Sequence, residues 1–416
     1  MGVRLRSWTV SRWRWGAVIV SVAVLCFLPA AVAAVPVNVP AVSATQLRAK
    51  ILASRDLSFA GYAESNADFG LPAFSAFSGT IALLDGVTRM RVWQASTDHW
   101  RVDTLTDTGE DDTYQDGDTA TFDWDSGEQL LTEITGKQTV RLPRASDLTP
   151  PALSASIIDD VGPGARLNSL PTRRIAGEGA AGISITPASA DSTIGRVDIW
   201  ANPSSGLPLL VQVFARGAGT PALTSQFLDV SLWKPVGSVL KPRRGPGTGF
   251  TATTPGDFSS VLKNLGFVVL PTSLDGLKRE PTPAGLPQFG GPGRHPGRGG
   301  FPGIQGEFAQ LGVYGDGLAT FAVLAFRPGT AGNLMSGALS NGADKLTFSD
   351  GGTGAVASAP LLNLVLIQPT GSRETLMLIG LVSRGTLEQA AQALAAGQPV
   401  FTRPFAPAPD KKKQAK

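Results

Sequence analysis

Between residues 89 and 135 the chain repeats one pattern. Short runs rich in Val, Thr, Trp and Phe alternate with turn clusters at Ser96-Thr97-Asp98, Asp107-Thr108-Gly109-Glu110, Asp116-Gly117 and Ser126-Gly127. Gly after Asp or Ser between β-rich runs marks a hairpin, because Gly takes the positive φ that a tight turn needs. The stretch predicts a continuous antiparallel meander. Its first hairpin has a definite register. With Ser96-Thr97-Asp98 as the loop, Ala95 faces His99, Trp93 faces Arg101 and Arg91 faces Asp103. Met90, Val92, Trp100 and Val102 then share one apolar face, while the other carries a Trp93–Arg101 stack and an Arg91–Asp103 ion pair. A slip of one residue would turn both arginines to the apolar side, so this register is firmly specified.

The same reading extends along the chain. Phe122 and Trp124 alternate with Thr121 and Asp123, and Leu130, Thr132 and Ile134 alternate with Leu131 and Glu133. Upstream, Ser43 and Gln46 have capping-box spacing and open a helix over 43–54 with Leu47, Ile51 and Leu52 on one face. Strands are predicted at 58–65 and 79–84. A helix within 148–159, with Pro150-Pro151 in its first turn, lies across the sheet. More strands follow at 182–186, 195–200, 209–215 and 225–233, two of them joined by the turn-rich segment 202–208. A sheet of that many strands must curl into a half-barrel or close.

These elements divide the chain into a first domain at 41–235, a Pro/Gly/basic linker at 236–256, a smaller domain at 257–402 and a basic tail at 403–416. The smaller domain is predicted to hold a helix at 257–265, a strand at 267–270 and a Pro/Gly insertion at 281–303 expected to be disordered. Apolar runs at 311–327, 361–367 and 375–381 follow. A closing helix spans 387–396, with Thr386 and Gln389 as its capping box and Gly397 as its stop. The fold class is mainly β (α+β): a curved antiparallel half-barrel sheet with a few helices, followed by a smaller α+β domain.

Composition narrows the function. The 416 residues suffice for two or three domains. The net charge of +3 hides a segregation: twelve acids lie between 98 and 133, with Arg101 as the one strong base among them. An acidic sheet argues against a nucleic-acid partner. Cys26 is the single cysteine and lies in an apolar run at 15–34, behind Arg4, Arg6, Arg12 and Arg14 and ahead of Ala31-Val32-Ala33. Basic, then apolar, then small is the order of a signal peptide, and the run is also near the length of a membrane anchor. Residues 1–34 are read as one or the other. The protein is therefore expected to be extracytoplasmic, on the periplasmic or cell-surface side. It is either secreted or anchored to the cytoplasmic membrane by this segment.

Candidate chemistry is sparse. The two histidines, His99 and His295, fall after a hairpin turn and in the Gly/Pro insertion, where a rigid Ser–His–acid arrangement is not expected. No Cys/His cluster offers a zinc site. Asp123-x-Asp125-x-Gly127 begins like a calcium loop, but Ile134 stands where the bidentate Glu is needed, so polar hairpin turns are the expected reading. No enzyme activity, cofactor or metal is expected. Trp93, Trp100, Phe122, Trp124, Trp200 and Phe214 all fall on strands. Such aromatics are either ordinary core or, in part, the lining of a concave apolar cavity. Met90, Val92, Trp100, Val102, Phe122 and Trp124 are the candidate lining residues.

The order of these motifs resembles a known family. The run Arg91-Val92-Trp93, Asp98-x-Trp100-Arg101-Val102-Asp103, Asp116-Gly117-Asp118 and Phe122-x-Trp124-Asp125 resembles the N-terminal domain of MucB/RseB sigma-factor regulators. That domain is itself similar to LolA lipoprotein carriers. Tyr314-Gly315-Asp316-Gly317-Leu318, and Gly380-Leu381-Val382-Ser383 leading into Thr386-Leu387-Glu388, resemble the small C-terminal domain of the same regulators. The resemblance implies a half-barrel with helices across its open side, holding an acyl chain or other hydrophobic ligand. It implies a membrane anti-sigma factor or other envelope protein as partner, shielded from proteolysis in the complex. The alternative it leaves open is a carrier of lipids or lipoproteins working through the LolA-like domain. The 281–303 insertion and the basic tail depart from the family pattern.

Overall fold

The computed structural model describes residues 15, 17–22, 39–69, 82–136, 143–162, 164–254, 265–281, 307–372, 374–397 and 401–402. Most of the 1–34 segment, most of the 257–265 helix and nearly all of the 281–303 insertion lie outside these residues, as does the 403–416 tail. No helix among the described residues is long and apolar enough to cross a membrane.

One sheet dominates the first domain. Its strands are β1 (Phe59–Asp68), β2 (Asp85–Ser96), β3 (His99–Leu105), β4 (Glu110–Asp116), β5 (Ala120–Asp125), β6 (Leu130–Thr135), β7 (Arg166–Ile175), β8 (Glu178–Thr186), β9 (Ile194–Ala201), β10 (Pro208–Ala215), β11 (Leu223–Ser231) and β12 (Gly249–Thr253). They lie in the order β12-β6-β5-β4-β3-β2-β1-β11-β10-β9-β8-β7. The meander is thus one half of the sheet and the second strand set the other, joined where β1 pairs with β11. The sheet is open, with β12 and β7 at its edges, and it is strongly curled. Four strand spacings of about 4.8 Å would put β7 roughly 19 Å from β11 in a flat sheet, yet Cα atoms of the two come within 8 Å.

The register of the first hairpin is the expected one at its core. Trp93 pairs with Arg101 and Arg91 with Asp103, but a bulge near the turn sets Ser96, rather than Ala95, opposite His99. Other readings need correction. Residues 82–84 are a helical turn leading into β2, not the end of a strand. β7 was not expected. Pro171 interrupts its sequence, and the pairing with β8 shifts there, between Leu170 and Arg173. Proline is tolerated at a bulged edge strand, since no ladder partner needs its missing N–H. The 236–256 segment, read as a linker, contains β12. That strand pairs in parallel with β6, from Gly249↔Leu130 to Thr253↔Ile134, and is the one parallel pair in the sheet.

Helices α1 (Ala44–Ala53) and α2 (Pro150–Asp160) cover one face. Ser43 and Gln46 close a reciprocal capping box on α1, which buries Leu47 and Ile51. α2 begins with prolines, whose missing N–H groups lose nothing in a first turn, and buries Ile157 and Ile158. Both pack on the apolar stripe formed by Ile183, Ile185, Val197, Ile199, Val211 and Val213.

The second domain is a six-stranded antiparallel sheet between two helices. Short strands β13 (Phe267–Leu270), β14 (Ser273–Leu274), β15 (Leu277–Lys278) and β16 (Glu307–Ala309) precede it, and β23 (Phe401–Thr402) joins β13 and β16. The main sheet runs β17 (Leu311–Asp316), β18 (Ala319–Phe326), β22 (Thr375–Gly380), β21 (Asn363–Gln368), β20 (Thr353–Ser358) and β19 (Asp344–Thr347). α3 (Pro328–Ser340) lies on one side and α4 (Arg384–Ala396) on the other. The apolar runs are continuous because both faces are buried. Phe321, Val323, Val365, Ile367, Leu376 and Leu378 pack with α4, while Leu324, Leu364, Leu366 and Met377 pack with α3. α4 starts one turn earlier than its sequence reading, because Ser383, not Thr386, caps it by accepting from the Thr386 N–H.

Candidate binding faces of the long sheet

The pairings sort the meander into two faces, since residues directly opposite each other share a side. On the helix-covered face, Met90 and Val92 stand with Ala63, Val102 and Trp100. Met90 is fully buried, and Val92 and Val102 nearly so. They pack with Phe59, Phe227 and Leu148, and half-buried Trp100 lies against the same cluster. A short turn, Ala145–Leu148, sits over this region, fixed by the Ser225 hydroxyl donating to the Leu148 carbonyl. Among the described residues the apolar cradle is thus filled by the protein's own side chains.

Phe122 and Trp124 do not belong to that face. β4 pairs Tyr114 with Arg101 and Asp112 with Asp103, and β5 pairs Phe122 with Tyr114 and Trp124 with Asp112. Both aromatics therefore stand beside Trp93 and Arg101 on the opposite side. Two-residue alternation fixes sides only within a strand, and the turn lengths of the later hairpins set the parity between strands. The six candidates split into four and two.

The opposite face carries buried charge. Asp103 and Asp112 are 1% and 5% exposed. Arg101 lies 5.2 Å from the Trp93 ring centroid and 4.9 Å from that of Tyr114. It donates through Nη2 to Asp103 Oδ2 and Asp112 Oδ2, each at 3.0 Å, and through Nε to Asp103 Oδ1. Arg91 pairs with Glu110 and stands 3.8 Å from Asp103. The Tyr114 hydroxyl donates to Asp112 Oδ2 at 2.9 Å, and Asp112 Oδ1 is buried with no partner. Three carboxylates face two guanidiniums, so one negative charge is uncompensated. Burial first, and then the Asp103 charge, push Asp112 up to about 7. Burial also raises Asp103 and Tyr114. Burial works against the charge of Arg101, but the hydrogen bond and charge of Asp103 outweigh it, and its pKa is raised. Oxygens of Asp103, Glu110 and Asp112 come within 4.8 Å of one another. The positive charge among them is supplied by arginine, so the cluster is an ion-pair network.

Of the polar groups singled out in the sequence, His99 and Asp125 stand at strand ends beside turns and Asp123 lies within β5. His99 Nδ1 is 3.0 Å from Asp98 and 3.3 Å from the Ser96 hydroxyl, and Nε2 is 3.4 Å from Asp116. Ser96 and Asp98 share Nδ1 while Asp116 lies at Nε2, and the ring and both acids are more than two-fifths exposed, whereas a nucleophile–base–acid relay needs a rigidly held imidazole. The Asp98 carboxyl is lowered by its hydrogen bonds from Ser96 and His99. Asp125 accepts from the Glu128 N–H and so closes the β5–β6 turn, while Asp123 lies 3.4 Å from Arg144. These contacts account for the calcium-like spacing. His295 lies outside the described residues.

Sequence reasoning missed the domain junction, because its residues carry no motif. The β8–β9 loop reaches into the second domain. The Ser192 hydroxyl donates to the Leu318 carbonyl and the Thr193 hydroxyl to the Leu361 carbonyl, each at 2.6 Å. The Ser383 N–H donates to Asp191 O at 2.7 Å. Leu318, Leu361 and Leu381 pack with Ile194 and Ala215 in the same core that holds α1 and α2. A cleft of about 190 Å³ opens here between Val161, Pro187, Leu277, Asp316 and Leu318.

The chain is similar in structure to MucB in complex with MucA(peri), with a TM-score of 0.43 at 17% identity over 84% of this chain and 97% of that one. It is likewise similar to the Pseudomonas aeruginosa MucA/MucB complex, with a TM-score of 0.43 at 16% identity over 84% and 96% of the two chains. A LolA superfamily protein from Nitrosomonas europaea matches with a TM-score of 0.23 at 14% identity over 49% of this chain and 99% of its own. These are the two groups that the order of sequence motifs resembles. No family model and no curated protein matches the chain.

Proposed function

We propose that this protein is an exported, non-enzymatic regulator of the MucB/RseB kind. It binds the extracytoplasmic part of a membrane anti-sigma factor and answers to a hydrophobic ligand. The observation that carries this reading is the shared core at the domain junction. The small domain is held to the long open sheet by buried hydroxyl-to-carbonyl hydrogen bonds and by Leu318, Leu361 and Leu381. A carrier working through the first domain alone has no need of such a junction, whereas a two-domain clamp on a partner chain does. The ligand face is the Met90, Val92, Trp100 and Val102 side, and an acyl chain would enter there by displacing the Ala145–Leu148 turn.

Affinity purification of the tagged chain from solubilised membranes should recover a single-span protein with an extracytoplasmic segment that binds the chain directly. Recovery of no such protein, together with acyl lipid retained in native mass spectrometry after detergent-free purification, would favour the lipid or lipoprotein carrier instead. Absence of both would overturn the two readings together.

A further inference from the structure

We infer that the exposed strap between β11 and β12 is a docking surface for an anionic membrane. Between residues 230 and 256 there are four cations, Lys234, Lys241, Arg243 and Arg244, and no Asp or Glu. All four are exposed. Elsewhere several arginines find carboxylates, as Arg89 does with Glu64, Arg101 with Asp112, Arg196 with Asp198 and Arg384 with Asp344, and others find carbonyls, as Arg216 does with Ser192. In the strap, among the described residues, no cation has an ion-pair partner, and Arg244 lies over the Phe250 ring at 3.4 Å. The same segment leaves Leu232 53%, Trp233 47% and Val236 59% exposed.

The strap is also held in place. Val239 O accepts from Arg101 Nη1 at 3.4 Å, Leu240 is buried, and β12 fixes the far end. The apolar and basic side chains therefore protrude on either side of a fixed point. A bilayer interface meets both needs at once, with phosphate for the cations and hydrocarbon just beneath for Leu232, Trp233 and Val236. An acidic protein segment would answer the charge but would leave the aliphatic and indole groups in water. This surface stands apart from the apolar face under the helices and does not depend on which partner that face serves.

The test uses the full chain with Cys26→Ser and a single environment-sensitive dye at Val236→Cys. Val87→Cys, exposed on β2 at the opposite end of the strands from the strap, serves as the control. Vesicles of phosphatidylglycerol with phosphatidylethanolamine should shift the position-236 emission to the blue, while phosphatidylcholine vesicles should not. The control position should stay unchanged with both. Replacing Lys234, Lys241 and Arg243 together by Gln should weaken the response to anionic vesicles about 100-fold, from the usual contribution of each basic residue at a charged surface. Added salt should weaken it as well. Because both labelled variants carry the same N-terminal segment, its insertion alone cannot produce the difference. Equal shifts at both positions, a shift that survives the triple replacement, or a response to polyglutamate with none to vesicles would overturn the proposal.

Discussion

Arg101 lies between two aromatic rings and serves two buried carboxylates. Removing one partner of such a buried set leaves an uncompensated charge, which typically costs about 3–5 kcal/mol. Arg101→Met should therefore lower the urea-unfolding free energy by about that much, and a loss below about 1 kcal/mol would show the network to be solvated. Asp112 makes the opposite prediction. Its folded pKa, near 7, lies above the ordinary 3.8 of the unfolded carboxyl. Between those values the folded state binds the extra proton, so stability from this group falls as pH rises from about 4 to about 7. Asp112→Asn mimics the protonated form. It should raise the melting temperature at pH 8 and make no difference at pH 4. Thermal melts across that range that run parallel for the two proteins would contradict this.

Among the elements, α1 shows how a short helix is held. Its ten residues are too few to be stable alone. The capping box orders the first turn, and Leu47 and Ile51 join it to the sheet. Ser43→Ala should cost about 1 kcal/mol, and Ile51→Ala about 2–5 kcal/mol, both measured by chemical denaturation. Nearly equal losses would mean that capping, rather than burial, holds the helix. This helix was legible because its cap and its 3.6-residue period agree. α3 was not, because Gly329, Gly332 and Gly337 break the helix-forming pattern of its sequence. It forms because Leu334 and Ala338 are taken up by the second sheet.

At the scale of the whole molecule, the junction decides how the domains behave. Gly317 has φ +58, and a Cβ added there would stand 2.5 Å from Asp160 O at the end of α2. Gly317→Ala should loosen the docking, so that calorimetry resolves two transitions in place of one. Gly276 has φ +77 with nothing within 4 Å, so Gly276→Ala should lower stability without separating the transitions. Ser192→Ala leaves the Leu318 carbonyl without its donor, costing about 1–3 kcal/mol at the same boundary. If Gly317→Ala melts as a single transition like the parent, the domains are coupled through some other contact.

Alone, the sequence determined what local physics settles. Turn glycines and β-rich runs gave the meander, and the Trp93–Arg101 and Arg91–Asp103 pairings followed from keeping arginine off the apolar face. Cap spacing located α1, and prolines in a first turn located α2. Only the tertiary structure decided relations between distant segments. The sides of Phe122 and Trp124 depend on parity summed through three hairpins. The burial of Asp103 and Asp112 depends on what covers an outward face, which alternation along a strand does not reveal. The parallel β12–β6 pair joins residues more than a hundred positions apart, and the Asp191–Thr193 contacts join two domains. Local patterning carries no record of such meetings, because their free energy arises only once the chain has folded far enough to bring the partners together.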